Sequence, residues 1–296
     1  MLFTALLGNP VEHSVSTYLY SEFANFVGLE YTHIKLNVPT EADLGDYLQS
    51  LRRIGCIGIN ITIPYKLAIA QHLDRQDNRS LAIGAVNTIT INEHGSIGYN
   101  TDGIGAYRSI ETYLRPVTPL DRVVVLGSGG AARAIVYELY QRTDNITILG
   151  IDQAEMAKLA DDFQHPDKKI VKFATLDQSS LFEHLETANF LVNSSPIGMY
   201  PETDQSLISA ALIDRLVQVR DLSDLFVFDA IFNPHTTLML DLVAKAGAPV
   251  CSGLWMLIYH GVEAFRLWTG KDVSHAPLDE IELKLRQVLL SQYQHA

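Results

Sequence analysis

The stretch that decides the fold of this chain is Val123-Val124-Val125-Leu126-Gly127-Ser128-Gly129-Gly130-Ala131-Ala132-Arg133. Its four apolar residues predict a buried strand, which the glycines end in a turn before a helix begins. The small residues Gly127, Gly129 and Ala132 follow the pattern G-x-G-x-x-G/A. In that pattern the first position permits the tight turn, the second lets the backbone approach a pyrophosphate, and the third lets the helix pack against the strand.

A dinucleotide site is expected at this turn, because the free N–H groups of the following helix favour an anion. Glycine turns also join strands to helices for structural reasons alone, so the flanking strand and helix are the context that favours a nucleotide. The residues expected to hold it are Gly127, Ser128, Gly129, Gly130, Ala131 and Ala132.

Strands and helices alternate on both sides of this stretch, which predicts the α/β class with parallel sheets and crossover helices. Downstream, helices are expected at 131–140 and 153–163, with strands at 146–149, 190–193 and 225–230. Upstream, strands are expected at 3–7, 31–36 and 58–63, with helices at 16–27 and 41–54. Pro116 and Pro119 precede the central strand and indicate a boundary between two domains.

Composition and charge exclude several classes of protein. Acidic residues outnumber basic ones 34 to 22, the formal charge is −12, and no basic patch is present that could neutralise a phosphate backbone. Nucleic acid is therefore not an expected partner. Cys56 and Cys251 match no metal-ligand spacing, so we expect no metal site, a reduced compartment, and Cys56 as a small core residue. The first residues do not form a secretory signal and no apolar run is long enough to span a membrane, which predicts a cytoplasmic protein.

An acidic residue follows the predicted strand at 146–149. Dinucleotide-binding folds place an acid about 20 residues beyond the glycines, where it binds the ribose hydroxyls, or basic residues that hold a 2′-phosphate. The segment Gly150-Ile151-Asp152 offers a carboxylate, and no Arg or Lys occurs before Lys158. Because a carboxylate would repel a 2′-phosphate, we expect NAD as the cofactor, with NADP as the alternative. Asp152 would equally serve as the N-cap of the helix that begins near Gln153.

Four short polar stretches in the first part of the chain, at 8–16, 60–66, 84–88 and 100–103, stand where strands should end. The carboxyl ends of parallel strands form the ligand crevice of such sheets, so hydroxyls and amides gathered there suit a small polyhydroxylated ligand. Each stretch also has a structural explanation. The alternatives are Ser14 or Ser16 as an N-cap, Asn87 as a turn residue, and Lys66 with Asp102 as a solvated surface pair.

Taken together, these stretches resemble the shikimate dehydrogenase family, including its quinate/shikimate dehydrogenase branch. Seven motifs occur in the order typical of that family: GNPxxHSxS at Gly8–Ser16, NxTxPxK at Asn60–Lys66, GAVNT at Gly84–Thr88, NTDG at Asn100–Gly103, GxGGAxR at Gly127–Arg133, NxxPxGM at Asn193–Met199 and GLxML at Gly253–Leu257. The resemblance implies an α/β substrate domain formed by 1–102 and 252–296, whose C-terminal helices return to it, and a Rossmann-type NAD(P)-binding domain at 103–251.

The resemblance also implies roles for individual residues. Lys66 and Asp102 would form the catalytic pair, which we expect to act as one coupled proton-handling unit. The residues implied at the substrate are Ser14 and Ser16 for its carboxylate, with Thr62, Asn87 and Asp102 for its ring hydroxyls. Those implied at the cofactor, besides the glycine turn, are Asp152, Met199 and Gly253.

Three positions depart from the family pattern. Thr17 stands where a proline usually follows the second serine, Phe232 where a tyrosine is expected, and His260 where a glutamine is expected. Both of the latter positions contact the substrate in the family. Phe232 lacks the hydroxyl that would bind the carboxylate, while His260 would either supply a compensating donor or simply pack on its helix. NADP-type members carry Asn-Arg-Thr at 150–152, and Ile151 cannot pair with a 2′-phosphate.

The sequence therefore predicts a dehydrogenase that transfers a hydride between shikimate or quinate and a nicotinamide cofactor, NAD in preference to NADP. Two alternatives stay open: a paralogue acting on another cyclohexane carboxylate such as an aminated shikimate, and a non-catalytic metabolite sensor of the same fold. Retention of both Lys66 and Asp102 argues against the sensor. The expected partner is a small molecule, with neither nucleic acid nor a membrane, and the expected assembly is a monomer or a homodimer.

Overall fold

A computed structural model describes residues 1–164 and 171–293. The chain forms two compact units, one from Met1–Asp102 with the segment from Ile258 onward, the other from Gly103–Leu257. Each unit has one six-stranded sheet with helices packed on it, so the predicted α/β class is confirmed. Within the described ranges, no helix is both long and apolar enough to cross a membrane.

The first unit is built on a mixed sheet. Its elements up to Tyr99 are β1 (Leu2–Gly8), α1 (Ser16–Phe26), β2 (Tyr31–Asn37), α2 (Leu44–Arg53), β3 (Gly58–Ile61), β4 (Arg75–Gln76), α3 (Asn78–Ile83), β5 (Thr88–Asn92) and β6 (Gly95–Tyr99), with 3-10 turns at Glu41–Asp43 and Ala68–His72. The strand order is β2-β1-β3-β5-β6-β4. Strands β1, β2 and β3 are parallel, but β5 runs antiparallel to both β3 and β6. The parallel pairing expected from the sequence is therefore confirmed for β1, β2 and β3, but it does not extend to β5 and β6, which form an antiparallel hairpin.

The two faces of this sheet differ in polarity. One face is apolar: Ala5, Leu7, Ile59, Ile61 and Ile89 pack there with leucines of α2. Side chains at the alternate positions of these strands lie on the opposite face. Several of them are polar and almost fully buried. These are Thr4, His33, Asn60 and Thr88. Buried polar side chains are normally hydrogen-bonded, so this face is expected to contain a network of hydrogen bonds.

The second unit has an all-parallel, doubly wound sheet. Its elements are α4 (Asp102–Tyr113), β7 (Arg122–Leu126), α5 (Gly130–Leu139), β8 (Asn145–Gly150), α6 (Gln153–Asp162), β9 (Val171–Thr175), α7 (Gln178–Leu185), β10 (Phe190–Asn193), α8 (Ala210–Leu216), β11 (Phe226–Asp229), α9 (Leu238–Lys245) and β12 (Val250–Ser252), with a 3-10 turn at Leu222–Asp224. The order β12-β11-β10-β7-β8-β9 reverses direction between β7 and β10. Ligands of such sheets bind at that reversal, outside the carboxyl ends of the strands.

The remaining helices are α10 (Gly253–Thr269) and α11 (Leu278–Tyr293). The first turn of α10 belongs to the second unit, since Met256 joins the apolar cluster that contains Cys251 and Trp255 stacks on Tyr113 at 4.2 Å. The second unit therefore extends to Leu257, beyond the boundary predicted at 252. From Ile258 onward the chain belongs to the first unit, where Lys284 of α11 donates to Glu22 of α1 at 2.8 Å.

Candidate active site

Lys66 and Asp102 form a largely buried ion pair in the first unit. The Nζ of Lys66 donates to the Oδ2 of Asp102 at 2.6 Å, and the two side chains are 20% and 5% exposed. Lys66 lies in the loop after β3, and Asp102 follows β6 as the first residue of α4. Because the pair is shielded from water, it is not the solvated surface pair that the sequence left as an alternative.

The β5–β6 hairpin brings Asn87 and Asp102 to the edge of the sheet where Lys66 lies. Thr88 pairs with Asn60 of β3 and with Tyr99 of β6. Since β5 is antiparallel to β3, β5 begins at the carboxyl end of β3, and β6 ends there. The residue before β5 and the residues after β6 therefore meet at that edge, although 15 positions separate Asn87 from Asp102 in the chain.

Asn87 orients the carboxylate of Asp102. Its Nδ2 donates to the Oδ1 of Asp102 at 2.7 Å and to the Oγ1 of Thr101 at 3.1 Å, while its Oδ1 accepts the N–H of Thr101 at 2.8 Å. Both amide donors are thus used within the protein. Burial alone would raise the pKa of Asp102, but the charge of Lys66 and these hydrogen bonds hold it below its ordinary value. Asp102 is accordingly an ionised partner of Lys66.

His260 lies on α10 beside this pair. Its Nδ1 is 3.4 Å from the Oγ1 of Thr101, and its side chain is half-buried. Burial lowers the pKa of His260 to about 4; Asp102 opposes this shift and the charge of Lys66 adds to it. The imidazole is therefore neutral at pH 7, so it can offer one donor and one acceptor but no charge.

The two serines stand at the start of α1. The Oγ of Ser14 donates to the Oγ of Ser16 at 3.0 Å and accepts the N–H of Ser16 at 3.3 Å. Val15 is the N-cap and no side chain caps this helix, so neither serine has the capping role considered from the sequence. Thr62 lies against the end of β1, since a Cβ added to Gly8 would meet its γ-methyl at 2.2 Å.

Polar residues that the sequence did not single out complete this region. Asn60 accepts the hydroxyl hydrogen of Tyr20 at 2.7 Å and donates to Thr88 at 3.2 Å, and Thr88 lies 3.1 Å from Thr101 through their hydroxyls. Asn60, Thr88 and Thr101 all fall inside the recognised motifs. Their position in a motif was the available signal, whereas their pairing depends on the strand register.

His33 is buried beneath this site. Its ring is 4.6 Å from that of Tyr20 and 6.1 Å from that of Trp268, and its Nδ1 is 2.7 Å from the Oγ1 of Thr4. Its Nε2 has no hydrogen-bond partner among the residues described. Burial lowers the pKa of His33 to about 3, and His260 and Lys35 add to that shift.

We expect the first unit to lose stability as the pH falls below about 6.5. His33 stays neutral in the folded state until the pH approaches its pKa of about 3, while the unfolded chain takes up a proton below about 6.5. The unfolded state therefore binds more protons between these values, and the free energy of unfolding decreases by roughly 2 kcal/mol at about pH 5 from His33 alone. Urea unfolding followed by Trp268 fluorescence in a Trp255→Phe background measures this loss.

The His33→Phe variant should lose about 2 kcal/mol less than the wild type over the same change in pH. His94→Gln is the matched control, because that side chain is 75% exposed, and it should behave as the wild type. A probe within the first unit is needed, since burial raises the pKa of Asp229 in the second unit to about 6, which acts in the opposite direction. Unchanged pH dependence in His33→Phe would contradict the expectation.

The glycine turn lies at the carboxyl end of β7, at the reversal of the second sheet. Gly127 has φ +100°, a conformation that L side chains rarely adopt, and its N–H donates to the carbonyl of Leu149 at 2.8 Å. Gly129 is the N-cap of α5, and a Cβ added there would meet nothing within 4 Å. Ala132 is fully buried against the strand. An open turn at the start of a ten-residue helix is suited to holding a pyrophosphate.

Two carboxylates, those of Asp152 and Glu155, lie in or near the segment that follows β8. Asp152 is the N-cap of α6, where its Oδ1 accepts the N–H of Glu155 at 3.0 Å. Glu155, which the sequence did not single out, accepts the hydroxyl hydrogen of Ser128 in the glycine turn at 2.9 Å. Ile151 is 87% exposed. The capping explanation of Asp152 therefore holds in this structure, and a second acid stands beside the turn.

Gly253, Met199 and Phe232 are the remaining predicted site residues of the second unit, and they differ in exposure and packing. Gly253 begins α10, and a Cβ there would lie 2.3 Å from the carbonyl oxygen of Ala230, so close backbone packing alone requires glycine. Met199 is 36% exposed, and Phe232 is half-buried after β11. These two lie in a different unit from Ser14, Lys66 and Asp102.

Both cysteines are buried and free. Burial raises the pKa of Cys56 to about 11 and that of Cys251 to about 12, so neither is a reactive thiolate. Cys56 belongs to the apolar cluster of the first sheet, as the sequence predicts. Over 1–164 and 171–293, the structure contains no cluster of three or more His, Cys, Asp or Glu side chains suited to a metal.

Two family models match the chain. The shikimate dehydrogenase substrate binding domain matches residues 6–89, and the saccharopine dehydrogenase NADP binding domain matches residues 123–221. The first match covers the serine, lysine and asparagine motifs, and the second covers the glycine turn.

Related proteins match along nearly the full length. The shikimate dehydrogenase (NADP(+)) of Methanocaldococcus jannaschii is 37% identical over 270 residues, which are 90% of each chain. A shikimate dehydrogenase solved with NADP+ is 34% identical, with a TM-score of 0.85 over 99% of this chain and 96% of that one. A quinate dehydrogenase from Corynebacterium glutamicum solved with NAD is 26% identical, with a TM-score of 0.82 over 98% and 99%. With this fold, this site and these relatives, the chain belongs to the shikimate dehydrogenase family, nicotinamide-dependent oxidoreductases that act on a CH–OH group.

Proposed function

We propose that this protein is an NAD-preferring dehydrogenase of shikimate, with quinate as the second candidate substrate. The observation that supports a dehydrogenase most directly is the buried Lys66–Asp102 pair, whose Nζ and Oδ2 are 2.6 Å apart. A protein that only sensed a metabolite would have no need of a shielded proton donor beside an oriented carboxylate, so the pair also argues against the sensor.

Lys66 exchanges the proton of the reacting hydroxyl. An ammonium has three N–H donors, and Asp102 occupies one of those of Lys66, which leaves two for the substrate oxygen. In the reductive direction Lys66 polarises the ketone and transfers a proton to its oxygen; in the oxidative direction the proton returns from the hydroxyl. Asp102 stabilises the charged lysine, so the two act together as one proton-handling unit. A nicotinamide cofactor, when bound, gives or takes the hydride.

The neighbouring polar groups orient the ring. We assign Asn87 to holding Asp102 in place, because its amide donors are already used by Asp102 and Thr101. Thr62 and the free donors of Lys66 remain for ring hydroxyls. Ser14 donates its one hydroxyl hydrogen to Ser16, so Ser16 keeps its own for a substrate carboxylate, and Ser14 would donate to one only by releasing Ser16. Both stand at the start of an eleven-residue helix without acidic residues in its first turn, which favours an anion.

The glycine turn would hold the pyrophosphate of the cofactor, since its open position at Gly129 and the N–H groups of α5 fit such a group. Preference for NAD is supported by the carboxylates of Asp152 and Glu155 and by the exposed apolar side chain of Ile151. A 2′-phosphate beside Asp152 and Glu155 would meet negative charge. This proposal departs from the NADP(+) named for the Methanocaldococcus relative.

Quinate stands as the second candidate because His260 and Phe232 replace substrate-contacting residues of the family pattern. His260 is neutral and half-buried beside Thr101, so it can bind a hydroxyl as donor or acceptor. An aminated shikimate is the third substrate to test, since a neutral imidazole also accepts a hydrogen bond from an amine.

The test is turnover of shikimate, quinate and 3-aminoshikimate, each with NAD and with NADP, followed by the absorbance of the reduced nicotinamide. We expect shikimate with NAD to give the highest kcat/KM, and NAD to exceed NADP by about a hundredfold, which corresponds to about 2.7 kcal/mol. Equal or higher kcat/KM with NADP would refute the cofactor preference. Absence of turnover with all six combinations would refute the dehydrogenase proposal.

A further inference from the structure

Lys35 ties down the backbone that precedes α1. It lies on the edge strand β2, and its Nζ donates to the carbonyl of Glu12 at 2.6 Å and to the carbonyl of Ser14 at 3.1 Å. These contacts span 23 and 21 positions of the chain. Lys35 lies outside all seven motifs, and no sequence pattern points to it.

The contacts of Lys35 satisfy two backbone carbonyls of this segment. With both carbonyls bound to the ammonium, the polar groups left in this segment are the hydroxyl of Ser14, which is partly exposed, and that of Ser16, which is buried. Carbonyl oxygens are the negative ends of peptide dipoles, and they would repel a carboxylate if they faced it. Lys35 therefore removes the repulsive groups and leaves the attractive ones.

The charge of Lys35 acts in the same direction. Two of its three N–H donors are used, and the side chain is partly shielded from water. Burial lowers the pKa of Lys35, and the nearby carboxylate of Glu12 opposes that shift. Glu12 is exposed, where water screens its charge, and its Oε2 accepts the N–H of Val11 at 3.1 Å. In a chain with a formal charge of −12, a local cation is needed to favour an anionic substrate.

We propose that Lys35 is a positioning residue that determines specificity for the substrate carboxylate, because it orders the Glu12–Ser14 backbone and supplies the positive charge behind the two serines. The inference deepens the proposed function and rests on it for the identity of the anionic group.

The test compares Lys35→Met and Lys35→Arg with the wild type, using shikimate and its neutral methyl ester. Lys35→Met should raise the KM for shikimate by about tenfold, equivalent to about 1.4 kcal/mol, with kcat changed by less than about threefold. The KM for the methyl ester should change by less than about threefold, and Lys35→Arg should restore most of the affinity for shikimate. Lys271→Met removes the same charge from an exposed position of the same unit, and it should match the wild type.

Two outcomes would overturn the proposal. An equal rise in KM for the acid and the ester would show that Lys35 only braces the segment, and an unchanged KM for both would show that it has no part in binding. Where Lys35→Met does not fold, Lys35→Gln retains N–H donors without the charge and must show the same discrimination between acid and ester. Failure of the proposed function would appear separately, as absence of turnover in the wild type, and shikimate binding by calorimetry would then still compare the wild type with the variants.

Discussion

Replacing Lys66 with methionine should lower kcat by at least about a thousandfold, because proton transfer by a positioned side chain contributes on the order of 10² to 10⁴ and the variant also loses the charge that polarises the ketone. The expected KM for shikimate changes far less, since the carboxylate is bound by other residues. Steady-state turnover with NAD measures both constants. Circular dichroism and thermal melting establish that the variant is folded, which is needed because Asp102 is left buried without its cation.

Lys66→Arg separates charge from proton transfer. Arginine keeps the positive charge and can pair with Asp102, but a guanidinium is not deprotonated in proteins and so cannot give up a proton. We expect kcat of this variant to stay within about tenfold of that of Lys66→Met. Lys271→Met serves as the charge control. Near-normal turnover of Lys66→Arg would contradict proton transfer by Lys66 and leave it an electrostatic role only.

The second large effect concerns the cofactor. The double variant Ile151→Arg with Asp152→Asn should shift the ratio of kcat/KM for NADP over NAD upward by about 10² to 10³. A charge-assisted hydrogen bond from arginine to a 2′-phosphate contributes roughly 1.5 to 3 kcal/mol, and removal of the Asp152 charge adds to it. Asparagine is as good an N-cap as aspartate, so α6 should remain stable. Initial rates at varied NAD and NADP measure the ratio.

Asp177→Asn is a matched control for this experiment. Asp177 is also an N-cap aspartate of the second unit, where it accepts the N–H groups of Ser179 and Ser180, but it caps α7 and not α6. The same change of charge there should leave the cofactor ratio unchanged. If the double variant keeps the wild-type ratio, Ile151 and Asp152 do not face the adenosine ribose, and the preference must have another origin.

Local sequence signals predicted the second sheet well. The side chains of Val123–Leu126 alternate between two apolar clusters on opposite faces of the sheet. A strand buried on both faces is apolar at every position, which makes it easy to recognise in a sequence. The glycine pattern then defines the turn by local sterics. The short strands β9 and β12 were not predicted, because polar residues such as Lys172 and Ser252 interrupt the apolar pattern.

The hairpin of the first sheet was missed although a signal existed. No strand is predicted over 88–99, yet Thr88-Ile89-Thr90-Ile91 alternates with period two and Gly95 follows. Gly84 and Asn87 interrupt the apolar run from 81 to 91 and obscure the start of β5. Pairing of β5 with β3 is a contact between distant segments, and local patterns carry little information about it.

The candidate site was predicted by residue type more than by arrangement. The motifs indicated Lys66, Asp102, Asn87 and the serines, but not that Lys66 and Asp102 are shielded from water, which follows from the packing around the hairpin. Lys35 and Glu155 could not be found from the motifs, because each acts on a loop more than 20 positions away. Asp152 was ambiguous in the sequence, because it matched both the pattern of a helix N-cap and the pattern of a cofactor-binding acid.

The β5–β6 hairpin can accept inserted residues at its turn but not within its strands. Its turn at Glu93 and His94 is exposed and lies at the end of the strands opposite Asn87 and Asp102. Residues added at that turn would leave the register of Thr88 with Tyr99 intact. One residue added within either strand would instead reverse the face of every side chain that follows, and would remove Asn87 or Asp102 from Lys66. An insertion at 93–94 should therefore leave the Lys66–Asp102 pair in place, whereas one within β5 or β6 should separate it.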